Sequence, residues 1–151
     1  MSKYEEKAIN LFKEGYNCAQ SVFLAFNDVM GLDEKAALKL SSSFGGGIAR
    51  LREVCGAVSG MCMVLGVLYG YDSPTDMEAK KAHYAFIREA TEKFKAENGS
   101  IICREILGDP AHGGDPEPRT ESYYKKRPCA EYVGMCAKIV EDIILEKGIK
   151  K

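Results

Sequence analysis

Residues 52–66, "REVCGAVSGMCMVLG", decide the fold of this chain because they open its longest uncharged run. No charged residue lies between Glu53 and Asp72, so residues 54–71 form an uncharged stretch of 18 residues. That length just reaches the range of about 17–25 residues that spans a membrane. Glycines interrupt the stretch at positions 56, 60, 66 and 70, and no other segment has a membrane-like composition. We therefore predict a central helix that is buried on all sides of a helical bundle.

Amphipathic helical patterns occupy most of the remaining chain. They cover residues 4–15, 17–31, 33–44, 73–99, 100–108 and 128–148. Residues 108–127, which are rich in proline, glycine and charge, predict one long mobile loop. The sequence has no strand-like alternation and no internal repeat. We therefore predict an all-α fold, a single-domain bundle of about five to seven helices over residues 1–151.

Capping residues predict where these helices begin and end. The predicted N-terminal caps are Asn17, Asp33, Ser73 or Thr75, and Ser100, and the predicted stops are Gly15, Gly31 and Asn98-Gly99. Pro128 suits the first position of the closing helix. The three glycines at 45–47 predict a permissive turn. An anion-binding nest is the weaker interpretation, because the Gly-Lys-Ser/Thr ending of a phosphate loop is missing.

Charge and the N-terminal sequence limit the classes of partner. The 21 basic and 22 acidic side chains nearly cancel, whereas nucleic-acid-binding domains usually carry a basic stripe. Residues 1–15 contain no apolar signal core. We therefore expect a cytoplasmic protein with no nucleic-acid and no membrane partner.

Six cysteines are the main functional signal of the sequence. A chain of 151 residues buries enough surface to fold without disulfides, and cytoplasmic thiols stay reduced. A cytoplasmic cysteine cluster indicates metal-binding, catalytic or redox-sensing chemistry. The alternative is that these cysteines are small buried hydrophobic residues.

Four of the six cysteines lie in predicted first helical turns: Cys18, Cys55, Cys103 and Cys129. The helix dipole and the free backbone N–H groups there favour a thiolate and depress its pKa. Basic residues nearby act in the same direction: Arg50 and Arg52 before Cys55, and Lys125, Lys126 and Arg127 before Cys129. With the amides of residues 45–47 also close in sequence, Cys55 is the candidate attacking thiolate.

The remaining two cysteines, Cys62 and Cys136, each follow another cysteine by seven residues. Seven helical residues span about 10 Å, which exceeds the Cα separation of about 7 Å that a disulfide tolerates. We therefore interpret Cys62 and Cys136 as core residues one layer deeper in the bundle.

Four motifs resemble, in order, those of a known family. They are "GYNCAQSV" at 15–22, "FGGGIARLREVCGAVSGMCMVLG" at 44–66, "CREILG" at 103–108 and "RPCAEYV" at 127–133. The family comprises small proteins to which a redox role is ascribed, and it is named C_GCAxxG_C_C for its cysteine pattern. Here the central motif reads Cys-Gly-Ala-x-x-Gly at 55–60, whereas the family name spells Gly-Cys-Ala. The resemblance covers nearly the whole chain.

The resemblance implies that Cys18, Cys55, Cys103 and Cys129 are the redox thiols or the metal ligands. It implies a redox role without an assigned reaction. A related cysteine-rich segment of split-Soret-type cytochromes is associated with an iron–sulfur cluster. Since the present chain has no C-x-x-C-H haem attachment site, the resemblance extends to the cluster alone.

Three hypotheses follow for the chemistry of these cysteines. In the first, the four thiolates hold an iron–sulfur centre for electron transfer, and the small residues Gly56, Ala57 and Gly60 leave space beside it. Zinc ranks lower because the usual ligand spacing is missing. In the second, two cysteines cycle between dithiol and disulfide without a cofactor. In the third, the chain is a non-enzymatic binding or scaffold protein with reduced, buried cysteines.

The other polar residues give weaker signals. His83 falls in the middle of a helix and is predicted at or near the surface. His112 lies in the long loop, where a solvated side chain is favoured over a metal ligand. The sequence carries no hydrolase signature. Tyr123 and Tyr124 are candidates to cover the site or a homodimer surface, and the redox partner is not identified by the sequence.

Overall fold

The structure of the protein is a computed structural model that describes residues 1–108, 114–126 and 128–149, with the side chains of 125 and 126 left out. Within these ranges the chain forms nine α-helices and one 3₁₀ turn. They are α1 (Lys3–Lys13), α2 (Cys18–Ala25), α3 (Asn27–Met30), α4 (Glu34–Ser41), the 3₁₀ turn (Ser42–Phe44), α5 (Gly56–Tyr69), α6 (Met77–Asn98), α7 (Cys103–Leu107), α8 (Glu121–Lys126) and α9 (Cys129–Lys147). The predicted all-α class is confirmed.

The helix count of the described residues exceeds the predicted five to seven for two reasons. The pattern at 17–31 predicts one helix, but the backbone leaves helical geometry at Phe26 (φ −101°, ψ 13°), which separates α2 from α3. The segment 108–127, predicted as one loop, contains α8. Short helices of this kind carry too little periodic sequence to be recognised from pattern alone.

Helix α5 lies at the centre of the core, against α2 and α9, and α1 packs along α9. Its close approach to α2 depends on Gly60, because a Cβ there would lie 2.7 Å from the Ala19 carbonyl oxygen. Cys136 is fully buried in this core, and Cys62 is half-buried against it, as predicted. No helix among the described residues has the length and apolar character needed to span a membrane.

Two of the predicted helix starts are confirmed and two are wrong. Asn17 caps α2 in a capping box, and Asp33 caps α4. Helix α6 is capped by Asp76, whose carboxylate accepts from the N–H of Ala79 at 3.0 Å, and not by Ser73 or Thr75.

Helix α7 begins at Cys103 and not directly after Ser100. A short antiparallel bridge between Val54 and Ile102 holds the chain extended up to that point. The hydroxyl of Ser100 accepts from the N–H of Ile102 at 3.0 Å within this extended stretch. The displaced start makes Cys103 the first residue of α7.

The chain enters α5 through a run of left-handed backbone. Five consecutive residues from Gly46 to Arg50 have φ between 45° and 73°, and Arg52 follows at 61°. The two glycines adopt this geometry freely, but each other residue costs roughly 1–2 kcal/mol. Ile48 is β-branched, so its φ of 68° is especially unfavourable. The predicted glycine turn thus extends into a strained loop, and such strain concentrates at functional sites.

Candidate functional site

The four cysteines singled out in the sequence lie on the wall of one cavity of about 350 Å³. Each stands at the start of a different helix. Cys18, Cys103 and Cys129 are the first residues of α2, α7 and α9, and Cys55 is the residue that precedes α5. The structure therefore brings together side chains that are up to 111 residues apart in the chain, counted from Cys18 to Cys129. Their chemical role stays a prediction.

Cys18 and Cys55 are brought together by the packing of α2 against α5. A Cβ added to Gly56 would overlap the sulfur of Cys18 and lie 2.8 Å from the Phe44 carbonyl oxygen. Only glycine at this position lets the start of α5 come so close to the start of α2. Gly56 itself lines the cavity beside the two cysteines.

Cys55 and Cys103 are linked through their backbones. The N–H of Cys55 donates to the carbonyl of Ile101 at 2.8 Å, and the N–H of Cys103 donates to that of Glu53 at 2.6 Å. These bonds flank the antiparallel bridge and hold the starts of α5 and α7 side by side. The two-stranded contact fixes the position of both sulfurs on the cavity wall.

Burial dominates the electrostatics of Cys55, which is 5% exposed. Its pKa is raised well above the ordinary value, first by burial and then by the nearby Cys18 thiol, with a smaller effect of Cys129. The backbone N–H groups of Val58 and Ala57 act in the opposite direction but do not outweigh burial. The prediction of a depressed pKa for Cys55 is therefore wrong, because desolvation exceeds the helix-start effect.

Arginines line the same cavity at Arg50, Arg52 and Arg119, and Glu117 lines it as well. Arg52 is 6% exposed, and its Nη1 lies 3.8 Å from the Cys103 sulfur. The two arginines predicted near Cys55, Arg50 and Arg52, thus line the cavity. The hydrogen bond of Arg52, however, is made to the sulfur of Cys103.

Tyr132 is a site residue that sequence reasoning missed. It lines the cavity, and its hydroxyl donates to the Ile106 carbonyl at 3.2 Å. Burial raises its pKa, and Cys129 and Cys55 raise it further, so the phenol lies among the cysteines. Its position three residues after Cys129, on the same helix face, was the available signal.

One wall of the cavity is formed by residues 114–124, which we call the strap. Gly114, Pro116, Glu117, Arg119 and Tyr123 of the strap line the cavity. The sequence suggested that Tyr123 and Tyr124 cover the site, and Tyr123 contributes directly to this wall. No sequence pattern identified Arg119.

Several predicted residues lie elsewhere. Ala57 is buried in the core, and Gly60 faces Ala19 and Val22. His83 packs against Tyr71 and Phe86. The predictions for His112 and Arg127, and for the side chains of Lys125 and Lys126, fall outside the part of the chain that the structure describes.

Among the described residues, no three His, Cys, Asp or Glu side chains are grouped closely enough to hold a metal ion. A zinc ion bound by four thiolates at about 2.3 Å would require sulfurs within about 4 Å of one another. Among the described residues the four cysteines share one cavity wall without forming such a group. Chemically, the arrangement offers four sulfur ligands and three arginines around a cavity that could take a group larger than one ion.

Comparisons with known proteins agree with the cysteine pattern. The sequence model of the family described as "Putative redox-active protein (C_GCAxxG_C_C)" matches residues 16–143. All four cavity cysteines lie within that range. No match was found among curated proteins or among solved structures.

Proposed function

Since the chain belongs to the C_GCAxxG_C_C family of redox-active proteins, we propose that its four-cysteine cavity holds an iron–sulfur cluster for electron transfer. The observation that carries this proposal is the position of Cys18, Cys55, Cys103 and Cys129 on the wall of one cavity of about 350 Å³. Four cysteine thiolates are the usual ligand set of such clusters. Bound there, a cluster would supply one-electron redox chemistry.

The size of the cavity favours a cluster over a single ion. A water molecule occupies about 30 Å³ of liquid volume, so 350 Å³ is far more than one ion requires. A four-iron cluster would give each thiolate its own iron, and so would accept sulfurs spread further apart than a single ion would.

The raised pKa of Cys55 bears on both candidate chemistries, because the thiolate is both the nucleophile and the metal ligand. Burial and the neighbouring Cys18 hold the Cys55 thiol protonated at neutral pH, and a protonated thiol is a poor nucleophile. Cysteines that held iron would have to release these protons. Arg52, 3.8 Å from the Cys103 sulfur, then offsets part of the negative charge of the four ligands.

A second candidate function is thiol–disulfide exchange between Cys18 and Cys55. Their proximity favours it, because Gly56, the residue after Cys55, has no Cβ and so lets the start of α5 approach the Cys18 sulfur. In this reaction the two thiols lose two protons, and two electrons pass to a disulfide of a partner. The raised pKa of Cys55 lowers its thiolate fraction at neutral pH, so Cys55 is a weaker attacking group than an ordinary cysteine.

The test is anaerobic reconstitution with ferrous iron and sulfide. Four single variants, Cys18→Ser, Cys55→Ser, Cys103→Ser and Cys129→Ser, are compared with Cys62→Ser, a half-buried cysteine outside the cavity. Wild type and Cys62→Ser are expected to gain visible sulfur-to-iron absorption, and each cavity variant to lose most of it. If wild type stays colourless but oxidises reversibly to a Cys18–Cys55 disulfide, the second candidate replaces the first. If neither occurs, the scaffold hypothesis is correct.

A further inference from the structure

We propose that Arg119 is a positioning residue that fastens the strap over the cysteine cavity, and that opening of the strap admits small molecules to the cysteines. The proposal concerns access to the cavity, so it holds for either of the two functions above. It rests on the contacts of Arg119 and on the exposure of the strap around it.

The guanidinium of Arg119 forms hydrogen bonds at the C-terminal end of α1. Its Nη1 donates to the Phe12 carbonyl at 2.9 Å, and its Nη2 donates to the Tyr16 carbonyl at 3.0 Å. A helix C-terminus carries partial negative charge, which favours a cation there. The planar fork of arginine can reach two separate carbonyls, whereas lysine offers a single ammonium.

The same guanidinium also lies between aromatic rings. Its central carbon is 4.2 Å from the centroid of the Phe12 ring and 4.9 Å from that of Tyr123. Both rings line the cavity, and cation–π contacts at such distances are attractive. Arg119 therefore connects the strap to α1 at the cavity wall.

The rest of the strap adds its own contacts to those of Arg119. Its residues are exposed except for Arg119, Tyr123 and Tyr124, which are half-buried. The hydroxyl of Tyr124 donates to the Lys13 carbonyl at 3.2 Å, and Arg50 donates to the carbonyl of Asp115. The rings of Tyr123 and Tyr124 also contact the Phe12 ring, so the closed strap depends on several neighbouring contacts. Arg119 joins the strap to α1 through hydrogen bonds and a ring contact, and its loss should lower the free energy of opening.

The test measures alkylation of individual cysteines by iodoacetamide in the reduced, metal-free protein, with peptide mass mapping. Arg119→Ala and Arg119→Lys are compared with wild type and with Arg88→Ala, an exposed arginine on α6. We expect Arg119→Ala to raise the alkylation rates of Cys18 and Cys129 about tenfold or more. Arg119→Lys should lie between Arg119→Ala and wild type.

The matched readout is Cys62, which is half-buried but does not line the cavity. Its alkylation rate should stay unchanged in every variant, as should all rates in Arg88→Ala. Tyr124→Phe, which removes the hydroxyl that donates to the Lys13 carbonyl and accepts from Arg119, provides a milder opening and should accelerate Cys18 and Cys129 to a smaller extent. Unchanged rates in both Arg119→Ala and Tyr124→Phe would overturn the proposal, and so would equal acceleration of all six cysteines.

Discussion

Gly56 and Cys18 are in contact across two helices, so closely that a Cβ on Gly56 would overlap the Cys18 sulfur. This contact sets the distance between the starts of α5 and α2. Because Cys55 immediately precedes Gly56, it also sets the distance between two of the four cavity cysteines. The Cys-Gly-Ala motif therefore requires glycine at position 56 because any side chain there would push α5 away from Cys18.

The first prediction follows from this contact. Gly56→Ala should destabilise the protein by about 1–3 kcal/mol, because α5 must move away from Cys18 and the Phe44 carbonyl. Gly66→Ala, on the same helix, is the matched control, because a Cβ added at Gly66 would have no neighbouring atom within 4 Å. It should stabilise by about 0.5–1 kcal/mol. Urea unfolding measures both, and equal effects of the two changes would contradict the contact.

The second prediction concerns pH. Burial raises the pKa of Cys62 from 9.0 to about 11 and those of Cys55 and Cys136 well above the ordinary value. A raised thiol pKa means that the folded state binds the proton more tightly than the unfolded state. The stability of the reduced, metal-free protein should therefore be complete below about pH 8.5 and fall as the pH rises above it.

Urea midpoints between about pH 7 and about pH 10, compared between wild type and Cys62→Ala, test this dependence, because the tyrosines that titrate near pH 10 contribute equally to both proteins. Cys62→Ala should remove one part of the decline, about 1.4 kcal/mol by about pH 10, which is one unit above the ordinary value of 9.0. A midpoint that is independent of pH, or a decline unaffected by Cys62→Ala, would mean that these thiols are not buried as described.

The third prediction concerns the left-handed loop. Ala49 has a φ of 45°, a geometry that glycine adopts without steric cost. Ala49→Gly should therefore be stabilising or neutral, by up to about 1 kcal/mol. The same change in the exposed α6 residue Ala85 should cost about 1 kcal/mol. Thermal unfolding of the two variants compares identical chemical changes, and two losses of equal size would rule out the strained loop.

The fourth prediction concerns Arg52 in the cluster-loaded protein. Reduction of the proposed cluster would add negative charge near the Cys103 sulfur, which lies 3.8 Å from the guanidinium, and the cation would stabilise the reduced form. Arg52→Gln should lower the reduction potential by tens of millivolts, where about 60 mV is a tenfold change for one electron. Arg52→Lys should lower it less, and Arg88→Gln should leave it unchanged. Potentiometric titration would contradict this role if Arg52→Gln had the wild-type potential.

The cysteine positions follow from local sequence signals. Asn17 before Cys18 and Pro128 before Cys129 mark helix starts that depend on nearest-neighbour chemistry, and the structure has both cysteines at the first helical position. Pro128, predicted as the first residue of the closing helix, lies one position before it. The buried α5 follows from a charge-free run. These features are readable because caps and apolar runs act within a few residues of their position.

Other features depend on tertiary structure and have no local signal. Ile48 is β-branched and disfavours the left-handed geometry it adopts. Arg119 contacts Phe12 across 107 residues of sequence. The raised pKa of Cys55 results first from burial and then from the nearby Cys18 thiol, which together outweigh the helix-start effect that the sequence indicates. Each of these depends on packing between distant segments.

The most direct test of the central claim is the iron and acid-labile sulfide content of the protein prepared without oxygen. The account predicts iron and sulfide in comparable amounts in wild type and Cys62→Ser, with loss of both in Cys103→Ser, whose sulfur lies on the cavity wall. A wild-type protein that takes up neither iron nor sulfide, with six free thiols, would contradict the claim that this cavity holds an iron–sulfur cluster.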